Sequence, residues 1–319
     1  MSRRKIFIDT DAGTDDVVAI IMALRSADVE VMGISCVGGN TSVDQVAQNV
    51  LYICDQLNEN IPVFIGAEKP KSRTLKSSDF IHGKDGLGDL EIDNHGREPS
   101  MISAIDGLRY CVQRYPQEIT VVTLGPMTNL AEAIQAYPEL EDQIGTILIM
   151  GGTYQMPGNI TPVAEYNFWA DPESAQYCLR LSTDKKIVGW DITLDSGYLT
   201  LSELEELKTC NSTLAPVVFD MQQIRLDWMR SEGQELKCTW ADAAAMASLL
   251  SPKYVENIGS YYCDVSLAPD DDDTRGMLIV DINHQKKLAA NTELVLAANR
   301  DIFKQLIYRS FSTGKMTLV

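Results

Sequence analysis

Positive charge is scarce in this 319-residue chain, which carries 27 Lys and Arg against 45 Asp and Glu for a net charge of −18. A surface this acidic repels nucleic-acid backbone and anionic lipid, so polyanionic partners are excluded and part of the excess is expected at a metal site. Long apolar runs are also missing: none approaches the roughly 18–20 residues that a membrane helix needs. The basic start MSRRKIFIDT leads into a strand-like stretch with no apolar h-region or small-residue cleavage site, so no secretory signal is expected. Cysteine pairs at CxxC spacing are absent. The seven cysteines, at 36, 54, 111, 178, 210, 238 and 263, read as buried, reduced thiols of a cytoplasmic protein. Neither a repeat nor a Pro/Ser-rich linker divides the chain, so residues 1–319 are expected to form one domain.

What is present is an alternation of short β-branched runs with helical stretches. Lys5–Asp9, Val29–Val37, Pro62–Ile65, Ile119–Leu124, Thr146–Met150 and Lys186–Trp190 are nearly continuous apolar runs, as parallel strands covered on both faces require. Asp15–Ser26, Ser42–Asn58, Met101–Tyr115, Met127–Tyr137 and Pro172–Leu181 have helical spacing. The pattern predicts an α/β fold: a doubly wound, mainly parallel sheet with helices on both faces. In the last third, helices are expected at Leu201–Leu207, Leu214–Glu232, Ala241–Leu250 and Asp301–Ser312, and strands at Tyr261–Ala268, Gly276–Asp281 and Glu293–Ala298. The acidic run Asp270–Asp273 reads as a solvated turn.

The chemical signal is Asp9-Thr10-Asp11-Ala12-Gly13-Thr14-Asp15-Asp16. Ligands of an open parallel sheet gather at the carboxyl ends of its strands, which is where this segment falls. Gly13 permits a tight turn, and Asp15-Asp16 then head a helix whose dipole and free N–H groups favour negative charge. One Asp here is an ordinary helix cap. Four carboxylates in eight residues repel one another and climb in pKa unless a cation holds them. Oxygen-only donors suit Ca²⁺ or Mg²⁺.

This segment, read as DxDxGxDD, resembles the opening motif of the inosine–uridine type of nucleoside hydrolase, a family that cleaves N-ribosidic bonds. Further likenesses follow in register: Val37-Gly38-Gly39-Asn40, His82-Gly83-Lys84-Asp85-Gly86-Leu87-Gly88, and Leu124-Gly125-Pro126-Met127-Thr128-Asn129-Leu130. Met150-Gly151-Gly152, the stretch Gly158 to Asn167, Asp171-Pro172-Glu173, and Asp242 before Ala243-Ala244-Ala245 complete them. The resemblance implies that Asp11, Asp16, Asp242 and the Leu124 carbonyl bind Ca²⁺, with Mg²⁺ the lesser candidate. It implies Asp11 as the base that activates water, Asp9 as its brace, and Asp15, Asn40, Asn159, Glu165 and Asn167 as holders of the ribose hydroxyls. It also implies a homodimer or homotetramer acting on small ribonucleosides.

Such chemistry needs a nucleophilic water, negative groups and carbonyls facing an oxocarbenium-like sugar, and a firm grip on the ribose. Alone, Asn159, Glu165 and Asn167 read as loop residues beside Pro162; beside the Asp cluster they read as a sugar site. Departure of the base is where the chain leaves the pattern. Many relatives carry His just before the last metal Asp, and here that position is Ala241. Of three histidines, His82 is the candidate to contact or protonate the base, while His95 and His284 read as surface residues. Trp240 and Trp228 are candidates to stack on the base. Two other readings remain open: a metal-dependent nucleoside-binding protein without turnover, which Ala241 favours, and a phosphatase of the haloacid dehalogenase kind, since Asp9-Thr10-Asp11 follows a strand. Purine or pyrimidine preference is not legible.

Overall fold

The computed structural model describes residues 3–90, 92–93, 96–312 and 314. Its strands are β1 (Arg4–Thr10), β2 (Val29–Cys36), β3 (Val63–Ile65), β4 (Ile119–Thr123), β5 (Thr146–Met150) and β6 (Lys185–Val188). They are followed by β7 (Tyr198–Thr200), β8 (Lys237–Thr239), β9 (Val255–Tyr261), β10 (Cys263–Val265), β11 (Leu278–Val280) and β12 (Thr292–Ala298). Eight form one sheet in the order β3-β2-β1-β4-β5-β6-β12-β9, parallel throughout except for the antiparallel edge pair of β12 with β9.

The continuous apolar runs have a direct cause. Successive side chains on a strand point to opposite faces, and both faces are covered. Ile6 and Ile8 enter one core while Phe7 enters the other, where it stacks on Phe64 with ring centroids 6.0 Å apart. In β5, Leu148 and Met150 join the first core, Ile147 and Ile149 the second. The doubly wound architecture expected from the sequence is therefore present.

Strand order runs outward from β1 to β3 on one side and from β4 to β6 on the other. The carboxyl ends of β1 and β4 thus flank the point where winding reverses, where a crevice opens in such sheets. On the first face, the helix Thr14–Arg25 packs on the helix Ala241–Leu250, whose every residue is buried. The alanine-rich sequence ADAAAMASLL lets the two backbones approach closely, and their first turns carry Asp15, Asp16 and Asp242.

Several expectations need correction. Leu214–Glu232 is two helices, Leu214–Met221 and Gln223–Ser231, because the Gln222 N–H bonds Phe219 O three residues back and tightens the turn. The segment Tyr261–Ala268 is not one strand: the chain leaves the main sheet after β9 and forms the separate ribbon β10–β11. Trp190 begins the helix Trp190–Asp195 instead of ending a strand. After β1 the left-handed residue is Ala12, at φ 42°, while Gly13 is extended at φ −73° and ψ −176°. Gly13 is required for space, since a Cβ there would lie 2.5 Å from Asn40 Nδ2.

Asp270–Asp273 form an exposed turn as read from the sequence, with Asp272 accepting from Thr274 N at 2.8 Å. Six cysteines are buried and Cys210 is half-buried, all as free thiols. His284 is exposed, and His95 lies outside the described residues. Among the described residues no helix is long and apolar enough to cross a membrane.

Candidate active site

Strand β1 delivers Asp9 to the crevice floor. The Asp9 Oδ1 accepts from Ser35 Oγ and from Asn129 Nδ2, at 2.7 Å for the latter, and Oδ2 has no partner. Burial pushes its carboxyl up to about 7, against the pull of the Ser35 and Asn129 hydrogen bonds. Asp9 does not line the cavity above, which Asp11 does.

Asp11 sits between two glycines. A Cβ on Gly39 would lie 2.1 Å from Asp11 Oδ2, and one on Gly125 would lie 3.0 Å from Oδ1. The Asn40 N–H donates to Oδ2 at 2.8 Å. Burial, and then the neighbouring Asp16 charge, holds the Asp11 carboxyl well above the usual range. Asp16 turns back on its own helix start, accepting from Gly13 N at 2.9 Å and from the Thr10 hydroxyl. Burial, then Asp15, raises its carboxyl to about 6.

Asp242 arrives from the far end of the sequence. Its Oδ1 is buried without a hydrogen-bond partner, and burial followed by the charges of Asp16, Asp15 and Asp11 raises its carboxyl well above normal. Asp15 accepts from Ala241 N at 3.2 Å, tying the two helix starts together. One oxygen each from Asp15, Asp16 and Asp242 lies within 4.8 Å of the others. The sequence grouped Asp11, not Asp15, with Asp16 and Asp242. All four converge, with Asp15 in the tightest trio. Crowded, partly unpartnered carboxylate oxygens in a largely buried cluster fit a hard divalent cation, which would meet the repulsion they otherwise suffer.

The cavity above them has a volume of about 660 Å³, of a size for a small-molecule ligand. Asp11, Asp15, Asn40, Asn159, Glu165, Asn167, Asp242 and Leu124 all line it, so the residues expected at the sugar meet in one wall. Asn167 Nδ2 donates to the Leu124 carbonyl at 2.6 Å. Glu165 caps the helix Tyr166–Ala170, accepting from Asn167 N at 2.9 Å and from Gly152 N at 2.8 Å. Burial still raises its carboxyl to about 7. Asn159 is exposed at the rim and spends its Oδ1 on Tyr166 N at 2.9 Å.

The same lining includes a more apolar set: Ile81, His82, Trp190, Leu194, Trp228 and Met229. His82 Nδ1 accepts from Thr14 N at 3.2 Å, so the neutral ring carries its proton on Nε2. Burial holds its pKa below the usual imidazole value. Trp228 lines the cavity and is 39% exposed. Trp240 does not belong to this lining. Backbone at Trp240 is extended (φ −123°, ψ 91°), so Thr239 and Ala241 face the cavity while the indole between them turns into the core at 0% exposure. Sequence reasoning missed Trp190, Tyr166 and Arg225, because a lone residue in a helix gives no periodic signal for a wall built from three segments.

A family model describing inosine-uridine preferring nucleoside hydrolases matches residues 6–305. The chain belongs to this family. It is a hydrolase of nucleosides, a glycosidase acting on an N-glycosyl bond. The chain is 36% identical over 232 residues to uridine nucleosidase 1 of Arabidopsis thaliana, covering 72% of this chain and 69% of that one. It is 31% identical over 307 residues to the non-specific ribonucleoside hydrolase RihC of Salmonella paratyphi C, covering 96% and 97%. Among solved structures, a plant nucleoside hydrolase superposes with a TM-score of 0.89 at 28% identity, covering 97% of this chain and 99% of the other. The purine-preferring ribonucleoside hydrolase of Gardnerella vaginalis gives a TM-score of 0.87 at 28% identity, covering 96% and 98%. For this nucleoside hydrolase, the phosphatase reading of Asp9-Thr10-Asp11 is set aside.

Proposed function

We propose that the chain hydrolyses ribonucleosides to ribose and free base with the help of a Ca²⁺ ion. The observation that carries this is the convergence of Asp11, Asp15, Asp16 and Asp242, with Asp242 Oδ1 buried and unpartnered. Asp11, Asp16, Asp242 and the Leu124 carbonyl would hold the cation. When bound, it supplies Lewis acidity that brings water toward its nucleophilic form near neutral pH.

Asp11 takes the proton from the attacking water. Its place in the cavity lining, with Asp15 and Asp242 beside it, supports that role. Asp15, Asn40, Asn159, Glu165 and Asn167 grip the ribose hydroxyls. Their negative and carbonyl oxygens also meet the positive charge that grows on the sugar ring as the bond to the base lengthens. Asp9, braced by Ser35 and Asn129, keeps Asp11 in place. His82, whose neutral ring carries its proton on Nε2, contacts the base through a hydrogen bond and keeps that proton.

A reducing-sugar assay over inosine, adenosine, guanosine, uridine and cytidine, with and without EDTA, tests the reading. Ribose release that stops with EDTA and returns with Ca²⁺ is the expected result. Asp11→Ala is expected to abolish turnover; wild-type kcat in that variant would remove Asp11 as the base. Nucleoside binding without ribose release would overturn this reading. Light scattering on the purified chain checks the homodimer or homotetramer that the family resemblance implies.

A further inference from the structure

Ala241 stands beside Asp242 in the cavity wall and can neither give a proton to the departing base nor hydrogen-bond it. The same wall holds a cation from a different element. Arg225, on the helix Gln223–Ser231, reaches across to β8, where Nη1 donates to Thr239 O at 2.8 Å and Nη2 to Thr239 Oγ1. Thr239 is two residues before Ala241, so these bonds fix the guanidinium beside the place that lacks an acid. Only two of five N–H groups are used there, and Nε is enclosed with no partner. Among the described residues no carboxylate pairs with Arg225, and its charge adds to the lowering of the His82 pKa. The other cation of this wall, Lys237, has its Nζ over the Tyr198 ring at 4.8 Å.

We infer that Arg225 is the group that carries the departing base, stabilising it as an anion by charge and hydrogen bonds in place of proton donation at position 241. This rests on the hydrolase reading above. The C1′–N bond breaks with its electron pair on the base nitrogen. The water oxygen bonds C1′, and the water proton passes to Asp11. Negative charge spreads over the ring nitrogens and carbonyl oxygens of the base, where the unused N–H groups of Nη1 and Nη2 meet it. The base takes its proton from solvent after release, and Asp11 returns its own. An arginine suits the task because it stays charged at any working pH and its planar fork needs little ordering. Trp190, Leu194 and Trp228 line the same cavity, and apolar lining screens a charge less than water does.

The test compares nucleosides with p-nitrophenyl β-D-ribofuranoside, whose leaving group departs as a stable anion unaided. In Arg225→Gln, kcat/KM for uridine and inosine should fall by about 10²–10³, the usual cost of removing a preorganised donor at developing charge. The nitrophenyl riboside should fall less than about tenfold, and Arg225→Lys should lie between wild type and Arg225→Gln on nucleosides. The retained nitrophenyl activity reports that the variant has folded. Equal loss on both substrate types, or full nucleoside turnover in Arg225→Gln, overturns the role of Arg225 alone. If the wild-type chain releases ribose from neither substrate, the hydrolase reading itself fails and this inference goes with it.

Discussion

Around Asp11 two glycines set the geometry: Gly39 leaves no room for a side chain, while a Cβ at Gly125 would meet Asp11 Oδ1 at 3.0 Å. Gly39→Ala brings a methyl group to 2.1 Å from Oδ2, so Asp11 must rotate or shift. A displacement near 1 Å at a reacting group costs on the order of 10² in rate. Steady-state kinetics should therefore show kcat/KM down by about that factor in Gly39→Ala, with the thermal midpoint barely changed. Wild-type kinetics in that variant would mean that Asp11 has no reacting position to lose. The ribose side gives a second residue-level expectation. With the ribose hydroxyls held as proposed by Asp15, Asn40, Asn159, Glu165 and Asn167, a missing hydroxyl leaves polar partners unpaired, so kcat/KM should fall by about 10³–10⁵ from inosine to 2′-deoxyinosine. Comparable turnover of the two would contradict the ribose assignment.

Among the elements, the helix Trp190–Asp195 and the loop it anchors bear on substrate access. Asp191 accepts from Tyr154 N at 3.0 Å, Gln155 N at 2.8 Å and Met156 N at 2.7 Å, and this loop continues through Met156–Asn159 in the cavity wall. Asp191→Ala removes the clamp, and with about 1–3 kcal/mol of lost hydrogen bonding the loop loosens. The expected result is a KM raised roughly tenfold with kcat within a few-fold, because the carboxylate cluster stands on other elements. A fall confined to kcat would show that the loop acts on chemistry. How much was legible beforehand divides along similar lines. The strands β1 to β6 showed themselves as continuous apolar runs because both their faces are buried, and Asp9 to Asp16 showed itself because four charges crowd one strand end. Strand β9 was not legible: as an edge strand with one exposed face, its VENIGSY carries no apolar run. The break at Gln222 has no Gly or Pro to announce it. Arg225 and Trp190 reach the cavity only through the packing of distant segments. The wrong assignment of Trp240 has a similar origin, since whether Thr239 or its neighbour faces inward depends on the local strand phase.

For the molecule as a whole, burying this much negative charge ties stability to pH. Glu165 and Asp9 each have a carboxyl raised to about 7 in the folded state by burial. Each therefore holds its proton in the folded chain at pH values where the unfolded chain has lost it. Folding is favoured most below the ordinary carboxylate range, and that contribution is lost as pH rises toward 7. For Glu165, a rise from 4.5 to about 7 corresponds to on the order of 3 kcal/mol across that window. Urea unfolding of the cation-free protein should thus show ΔG falling from pH 5 to pH 7.5. In Glu165→Gln, which cannot ionise, the slope should flatten by roughly that amount. Added Ca²⁺ should act in the opposite direction. On the proposed site it would bind the ionised carboxylates of Asp11, Asp16 and Asp242, so its stabilisation should grow with pH and reach about 2.7 kcal/mol at a hundred times its dissociation constant. A stability profile that rises with pH in EDTA would mean that these carboxylates are paired in the fold in some other way.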